Sequence, residues 1–205
     1  MSMIEAYKED YGRIAQVKMA EMFELAALKE KIKIDDFIEM FIDSPICRAF
    51  ETLDPIYLLG KSSNELIAMI INKPPVDIYV AEYASPEFWT GYVLAYAQVT
   101  LNKSYRTLVK AFPCSEILIH YFPYHEMDNR HILDVFKEKL QKNNPLRTLR
   151  LERKLSQSDL ALLSNVNIRS IKGYEQGTLD ISKAQVDTVF ALARVLGCSL
   201  EKLFY

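Results

Sequence analysis

The stretch from Leu155 to Gly177 constrains this chain more than any other, because three residues punctuate it into two short helices that meet across a tight turn. Ser156 is suited to N-cap the first helix, since its hydroxyl can accept from a backbone N–H that has no partner inside the helix. Asn165 stands where a left-handed residue would end that helix, a conformation asparagine tolerates better than most residues. Asn167 can then cap a second helix from Ile168 to Gln176, which Gly177 closes. Leu160 and Ala161 before the turn, with Val166, Ile171 and Tyr174 after it, form an inward-facing apolar set. This assignment puts Ile168, Arg169, Lys172 and Gly173 on the outer face. A helix of two to three turns mounted across a tight turn on another helix has the dimensions of a DNA major groove.

At these residues the chain resembles the Cro/phage-repressor (xenobiotic-response-element) helix-turn-helix family, from about Pro145 to Phe204. The likeness includes the entry helix Leu146–Arg153 and the Leu155-Ser156-Gln157 start. It continues through Ile171, Tyr174, Glu175 and Gly177 to the tail from Ala191 to Phe204. It implies a five-helix, lambda-repressor-like head over 144–205 that binds double-stranded DNA as a homodimer on an inverted repeat. By the family pattern Gln157 would donate to a phosphate at the N-terminus of its helix. Asn167, Ile168, Arg169 and Lys172 would face the groove, with Arg169 suited to guanine, Ile168 to a thymine methyl and Lys172 to phosphate. Arg150 and Glu175 match the family's helix-to-helix ion pair. Two departures stand out. Gly173 occupies a turn where family members often present a base-reading side chain, and Asp180 lies where basic phosphate anchors are common.

At 205 residues the chain has room for two small domains, and half of it is apolar, enough for packed cores. The formal net charge of −2 hides an asymmetry. From Asn144 onward nine Lys/Arg face six Asp/Glu, a net of +3, while residues 1–143 hold the other sixteen basic and twenty-one acidic groups, a net of −5. Three scattered cysteines (Cys47, Cys114 and Cys198) make neither a metal cage nor a disulfide framework. No apolar run reaches the length of a membrane span and the start lacks a basic signal-peptide lead, so a cytoplasmic protein is expected.

Residues 1–143 read as an all-helical domain. Ile4, Tyr7, Tyr11, Ile14, Ala15, Met19, Met22, Phe23 and Ala26 recur at helical spacing, so 3–31 is expected as one long helix. Short helices follow, from Phe37 to Ile42, after Ser44-Pro45, and from Asn64 to Ile71 with a Ser62/Glu65 capping box. Asp77–Ala81 alternates enough for a strand but has no evident partner strand, so an extended or helical connection is expected there. Ser85-Pro86 starts a segment to Leu101 that is apolar nearly all round, which predicts a buried central helix. Its small residues Thr90, Gly91, Ala95 and Ala97 let other helices approach closely. Its Trp89, Tyr92 and Tyr96 share a face and could line a pocket, although a packed core is the plainer reading. Further helices are expected from Tyr105, from Pro113 and from Asn129 to Gln141.

The sequence offers no Gly-rich phosphate loop, no cofactor and no catalytic arrangement, so a non-enzyme is expected. His120, His125 and His131 lack zincin spacing, and Asp35, Asp36, Glu39 and Asp43 read as a solvated helix face. The pieces Ser85–Tyr96 and His125–Asp128 are similar to a poorly characterised bacterial domain that precedes such heads. That likeness implies a regulator, or an antitoxin-like component whose front domain binds a partner protein such as a toxin. Two alternatives differ in class: a protein-interaction module whose head binds no DNA, and a small-molecule sensor or enzyme built around Trp89, Tyr92 and His125.

Overall fold

A computed structural model describes residues 3–75 and 85–204, and the Asp77–Ala81 run lies outside them. Every regular element among the described residues is helical. In chain order they are α1 (Met3–Glu24), α2 (Ile34–Ile42), α3 (Pro45–Glu51), α4 (Pro55–Leu58), α5 (Ser63–Ile71), α6 (Pro86–Leu101), α7 (Tyr105–Ala111) and α8 (Cys114–Ile119). They continue with α9 (Tyr121–Tyr124), α10 (Asn129–Lys142), α11 (Pro145–Glu152), α12 (Gln157–Ser164), α13 (Ile168–Gln176) and α14 (Val186–Leu196). A π turn over Leu25–Lys29 extends α1, and 3₁₀ turns occupy Ile181–Lys183 and Leu200–Leu203. Two compact units result, Met1–Asp134 and Val135–Tyr205, with the division falling inside α10.

Local chemistry accounts for most of the boundaries. Four helices begin with a capping residue followed by proline: Ser44-Pro45, Asp54-Pro55, Ser85-Pro86 and Asn144-Pro145. In each the capping side chain accepts a backbone N–H of the first turn, while proline fills a position whose N–H would have no partner. Ser62 and Glu65 form a reciprocal capping box at the start of α5. Asn72, Asn102 and Asn165 end their helices in the left-handed region.

The N-terminal unit is organised on α1 and α6. Gly12 faces Val99 and Gly91 faces Ala20, so the two helices run antiparallel. A Cβ on Gly91 would stand 2.6 Å from the Met19 carbonyl oxygen, an approach only glycine permits here. Thr90, Val93, Leu94, Ala95 and Ala97 of α6 are fully buried, as are Met19, Met22, Phe23 and Leu25 opposite. The side chains of α6 are therefore enclosed nearly all round, which is what its apolar sequence demands. The acidic residues of α2 are structural at both ends. Asp35 accepts the Ser115 N–H at the start of α8 (3.0 Å), and Asp43, just past the helix, pairs with Arg106 (2.8 Å).

In the C-terminal unit a small core of Leu146, Leu160, Ile171, Val189, Leu192, Ala193, Leu196 and Leu203 joins α11 through the last 3₁₀ turn. Ala161, Val166 and Tyr174 pack against it, half-buried. The last long helix does not start at Ser182, although Ser182 and Gln185 have the spacing of a capping box. Asp180 accepts both the Ser182 N–H (3.0 Å) and its hydroxyl (2.7 Å), so a 3₁₀ turn forms first and α14 begins only at Val186. A carboxylate two residues ahead outcompetes the serine's own capping bond.

Candidate nucleic-acid interface

The helix-turn-helix is made of α12, a three-residue turn and α13. Ser156 accepts the Asp159 N–H (3.0 Å) while the Asp159 carboxylate accepts the Ser156 N–H (2.8 Å), which closes both ends of a capping box. The Ser156 hydroxyl, and then the Ser156 backbone N–H, hold the Asp159 carboxyl below the usual carboxylate range. Asn165 turns the chain at φ 55°. Asn167 then caps α13 by accepting the Arg169 N–H (2.8 Å), which commits its carbonyl oxygen to structure and leaves the NH₂ end for a ligand.

Beneath α13 lies a buried polar network. Arg150 Nε and Nη2 donate to the two carboxylate oxygens of Glu175 at 2.6 and 2.9 Å. The third donor, Nη1, reaches the Leu155 carbonyl (2.7 Å). Both residues are buried, at 7% and 4% exposure, and the carboxylate raises the Arg150 pKa further above its ordinary value. Gln157 joins from the first turn of α12, its Nε2 donating to Glu175 Oε2 (2.8 Å). One amide hydrogen of Gln157 is therefore held inward, and a phosphate could engage only the other. Asn144 Nδ2 donates to the Tyr174 carbonyl (2.9 Å) and ties the head of α11 to α13. The network fixes α13 against α11 and α12 with bonds whose geometry tolerates little displacement.

What α13 exposes differs in one position from the sequence assignment. Asn167, Arg169, Lys172 and Gln176 are exposed and Ile168 is half-buried. Among the described residues neither Arg169 nor Lys172 has an ion-pair partner. Gly173, placed on the outer face by the sequence, is buried instead. A Cβ there would meet Leu179 Cδ1 at 2.6 Å, because the chain folds back after Gly177 and Leu179 N–H donates to the Gly173 carbonyl (3.1 Å). Gly173 is therefore a packing residue that lets the following loop close over α13. Gln176 was missed from the sequence, although its spacing from Arg169 and Lys172 places it on the same face. Asp180 is likewise accounted for locally, as the cap of the 3₁₀ turn.

Trp89, Tyr92 and Tyr96 lie on α6 in the N-terminal unit. Trp89 and Tyr92 line a cavity with His125, and Tyr96 does not reach it. The three histidines do not converge: His120 and His125 each turn Nδ1 to a backbone carbonyl, and no cluster of metal-ligating residues occurs among the described residues.

The arrangement of α11 to α14, two short helices across a tight turn on a supporting core, defines a helix-turn-helix domain. Comparison with known families agrees: residues 146–203 match the family model described as helix-turn-helix. Residues 146–203 are thus a helix-turn-helix domain of the Cro/repressor type. No curated protein and no solved structure matches the chain. Among the described residues no helix is long and apolar enough to cross a membrane.

Proposed function

We propose that this chain is a non-enzymatic, sequence-specific transcriptional repressor that occludes a promoter. The observation that carries the reading is α13 itself, which presents Asn167, Arg169, Lys172 and Gln176 to solvent while the buried Arg150–Glu175 pair holds its other face. Arg169 suits bidentate readout of guanine, Gln176 suits adenine, and Lys172 supplies a charge contact to phosphate. Ile168, half-buried, is left with its outer edge for a thymine methyl.

One such head covers a short half-site, so the operator is an inverted repeat bound by a homodimer. The dimer reading is supported by exposed apolar side chains on the head. Leu162 and Leu163 of α12 are 82% and 60% exposed, and Val186 and Phe190 of α14 are 67% and 53% exposed. These two helices pack on each other, and a second copy of the chain would cover such residues. The N-terminal unit, acidic in balance, would hold a partner protein such as a toxin, which makes the chain the autoregulator of a small operon.

Binding of the full chain to the DNA upstream of its own gene, at two salt concentrations and beside Arg169→Ala, tests the proposal. Affinity should fall with salt in proportion to the phosphates neutralised. Arg169→Ala should lose about 1–3 kcal/mol of discrimination at one base pair while keeping non-specific binding. Binding no tighter than to random DNA would overturn it in favour of a protein-interaction head.

A further inference from the structure

The cavity beside the N-terminal half of α6 holds about 290 Å³, at the small end of the range for ligand pockets. Aromatic rings of Phe88, Trp89, Tyr92 and Tyr121 make its walls. Tyr121 is pinned on two sides, stacking on His125 with ring centroids 4.1 Å apart and meeting Trp89 edge-on at 5.8 Å. The walls are thus set before anything binds.

The polar atoms at this cavity are short of partners. Trp89 is only 9% exposed, yet its indole N–H has no acceptor among the described residues. His125 Nδ1 lies 2.9 Å from the Tyr121 carbonyl, which can only accept, so the neutral ring carries its proton on Nδ1 and a lone pair on Nε2. The nearest charge to Nε2, Glu126 Oε1, stands 3.7 Å off, beyond hydrogen-bond reach. The Tyr92 hydroxyl and the Asn129 amide likewise have no partner among the described residues.

Charge completes the description. Among the described residues the lining includes no Lys, Arg, Asp or Glu. Ser85, one of the lining residues, donates its hydroxyl to the buried Glu24 carboxylate (2.6 Å). Among these described residues a phosphate or carboxylate would find no countercharge. A quaternary ammonium would find aromatic faces but leave the Trp89 donor unmatched.

We propose that this cavity is a binding site for an uncharged, planar heteroaromatic molecule of one or two rings. It would stack among Trp89, Tyr92 and Tyr121, accept from the Trp89 indole and donate to His125 Nε2. Trp89 is the only tryptophan in the chain, so its indole N–H gives a single identifiable signal in a nitrogen–proton correlation spectrum. The full-length protein is titrated with adenine, which both accepts and donates, and with quinoline, which only accepts. Naphthalene and N-methylquinolinium serve as the hydrocarbon and cationic counterparts of the same shape.

Adenine and quinoline should move the indole proton downfield saturably, adenine with the higher affinity. His125→Phe keeps a ring against Tyr121 but removes the acceptor. It should weaken adenine about tenfold, the worth of one hydrogen bond, and leave quinoline unchanged. An equal saturable downfield shift with naphthalene, binding of the cation alone, or no response to either heterocycle at millimolar concentration would overturn the proposal. Adenine binding no tighter than quinoline would overturn the part assigned to His125. None of these readouts involves DNA, so they stand or fall apart from the repressor reading.

Discussion

Truncating Arg150 to alanine should destabilise the helix-turn-helix unit more than any exposed substitution on it. The guanidinium makes three hydrogen bonds, two to Glu175 and one to the Leu155 carbonyl, all within 2.9 Å. With Arg150 gone, Glu175 keeps only the Gln157 amide from this network while remaining 4% exposed. A buried carboxylate stripped of its counter-ion costs about 3–5 kcal/mol, most of it the desolvation that the pair had offset. A unit of about 70 residues has only roughly 4–10 kcal/mol to lose, so Arg150→Ala should remove from about a third of its stability to all of it. Urea denaturation of the full chain followed by circular dichroism would give the loss, and hydrogen exchange of the α11–α13 amides would locate it. The double variant Arg150→Met/Glu175→Leu removes both charges and should recover most of the stability. Loss of less than 1 kcal/mol in Arg150→Ala, or a double variant worse than either single one, would refute the reasoning.

Two glycines should behave differently when replaced by alanine. Gly91→Ala pushes a methyl against the Met19 carbonyl and should cost about 1–3 kcal/mol in thermal unfolding, because two helix backbones must separate. Gly173→Ala meets only the side chain of Leu179, itself half exposed and able to turn away, so its cost should be the smaller of the two. Asp128 is held down from an ordinary 3.8 to about 2 by the Arg130 guanidinium and then by the Arg130 backbone N–H. Its contribution is therefore complete above the ordinary value and lost as the pH falls from about 4 to about 2. Asp128→Asn should flatten the unfolding temperature of the N-terminal unit over that window at constant ionic strength. Burial, and then the Glu51 carboxylate, pushes the Cys47 thiol up to about 12, and burial pushes Cys114 up strongly. Half-buried Cys198 should therefore react first with a thiol reagent at pH 8, and the other two only on unfolding.

How far the sequence reveals the structure follows from the range of the interactions involved. Caps are local, so Ser62, Ser85, Ser104, Asn144 and Ser156 mark helix starts that a reader can place from neighbouring residues alone. The burial of α6 is legible for a similar reason, since a segment apolar on every side has only one place to go. Gly173 shows where this kind of reading stops. Helical periodicity puts it beside Lys172, but its burial depends on Leu179 folding back over it, a contact set by the turn after Gly177. The start of α14 fails in the same way, because Ser182 looks like a cap until Asp180 takes its hydroxyl. Gln157 is the sharpest case. Its position at a helix N-terminus suggests a phosphate donor, and the structure turns one of its hydrogens inward to Glu175, eighteen residues away. That bond couples the first turn of α12 to the helix that would enter the groove. A phosphate drawing on the other Gln157 hydrogen would thus also bear on α13 through Glu175. The network that stabilises the unit and the contact that would anchor it to DNA share one side chain.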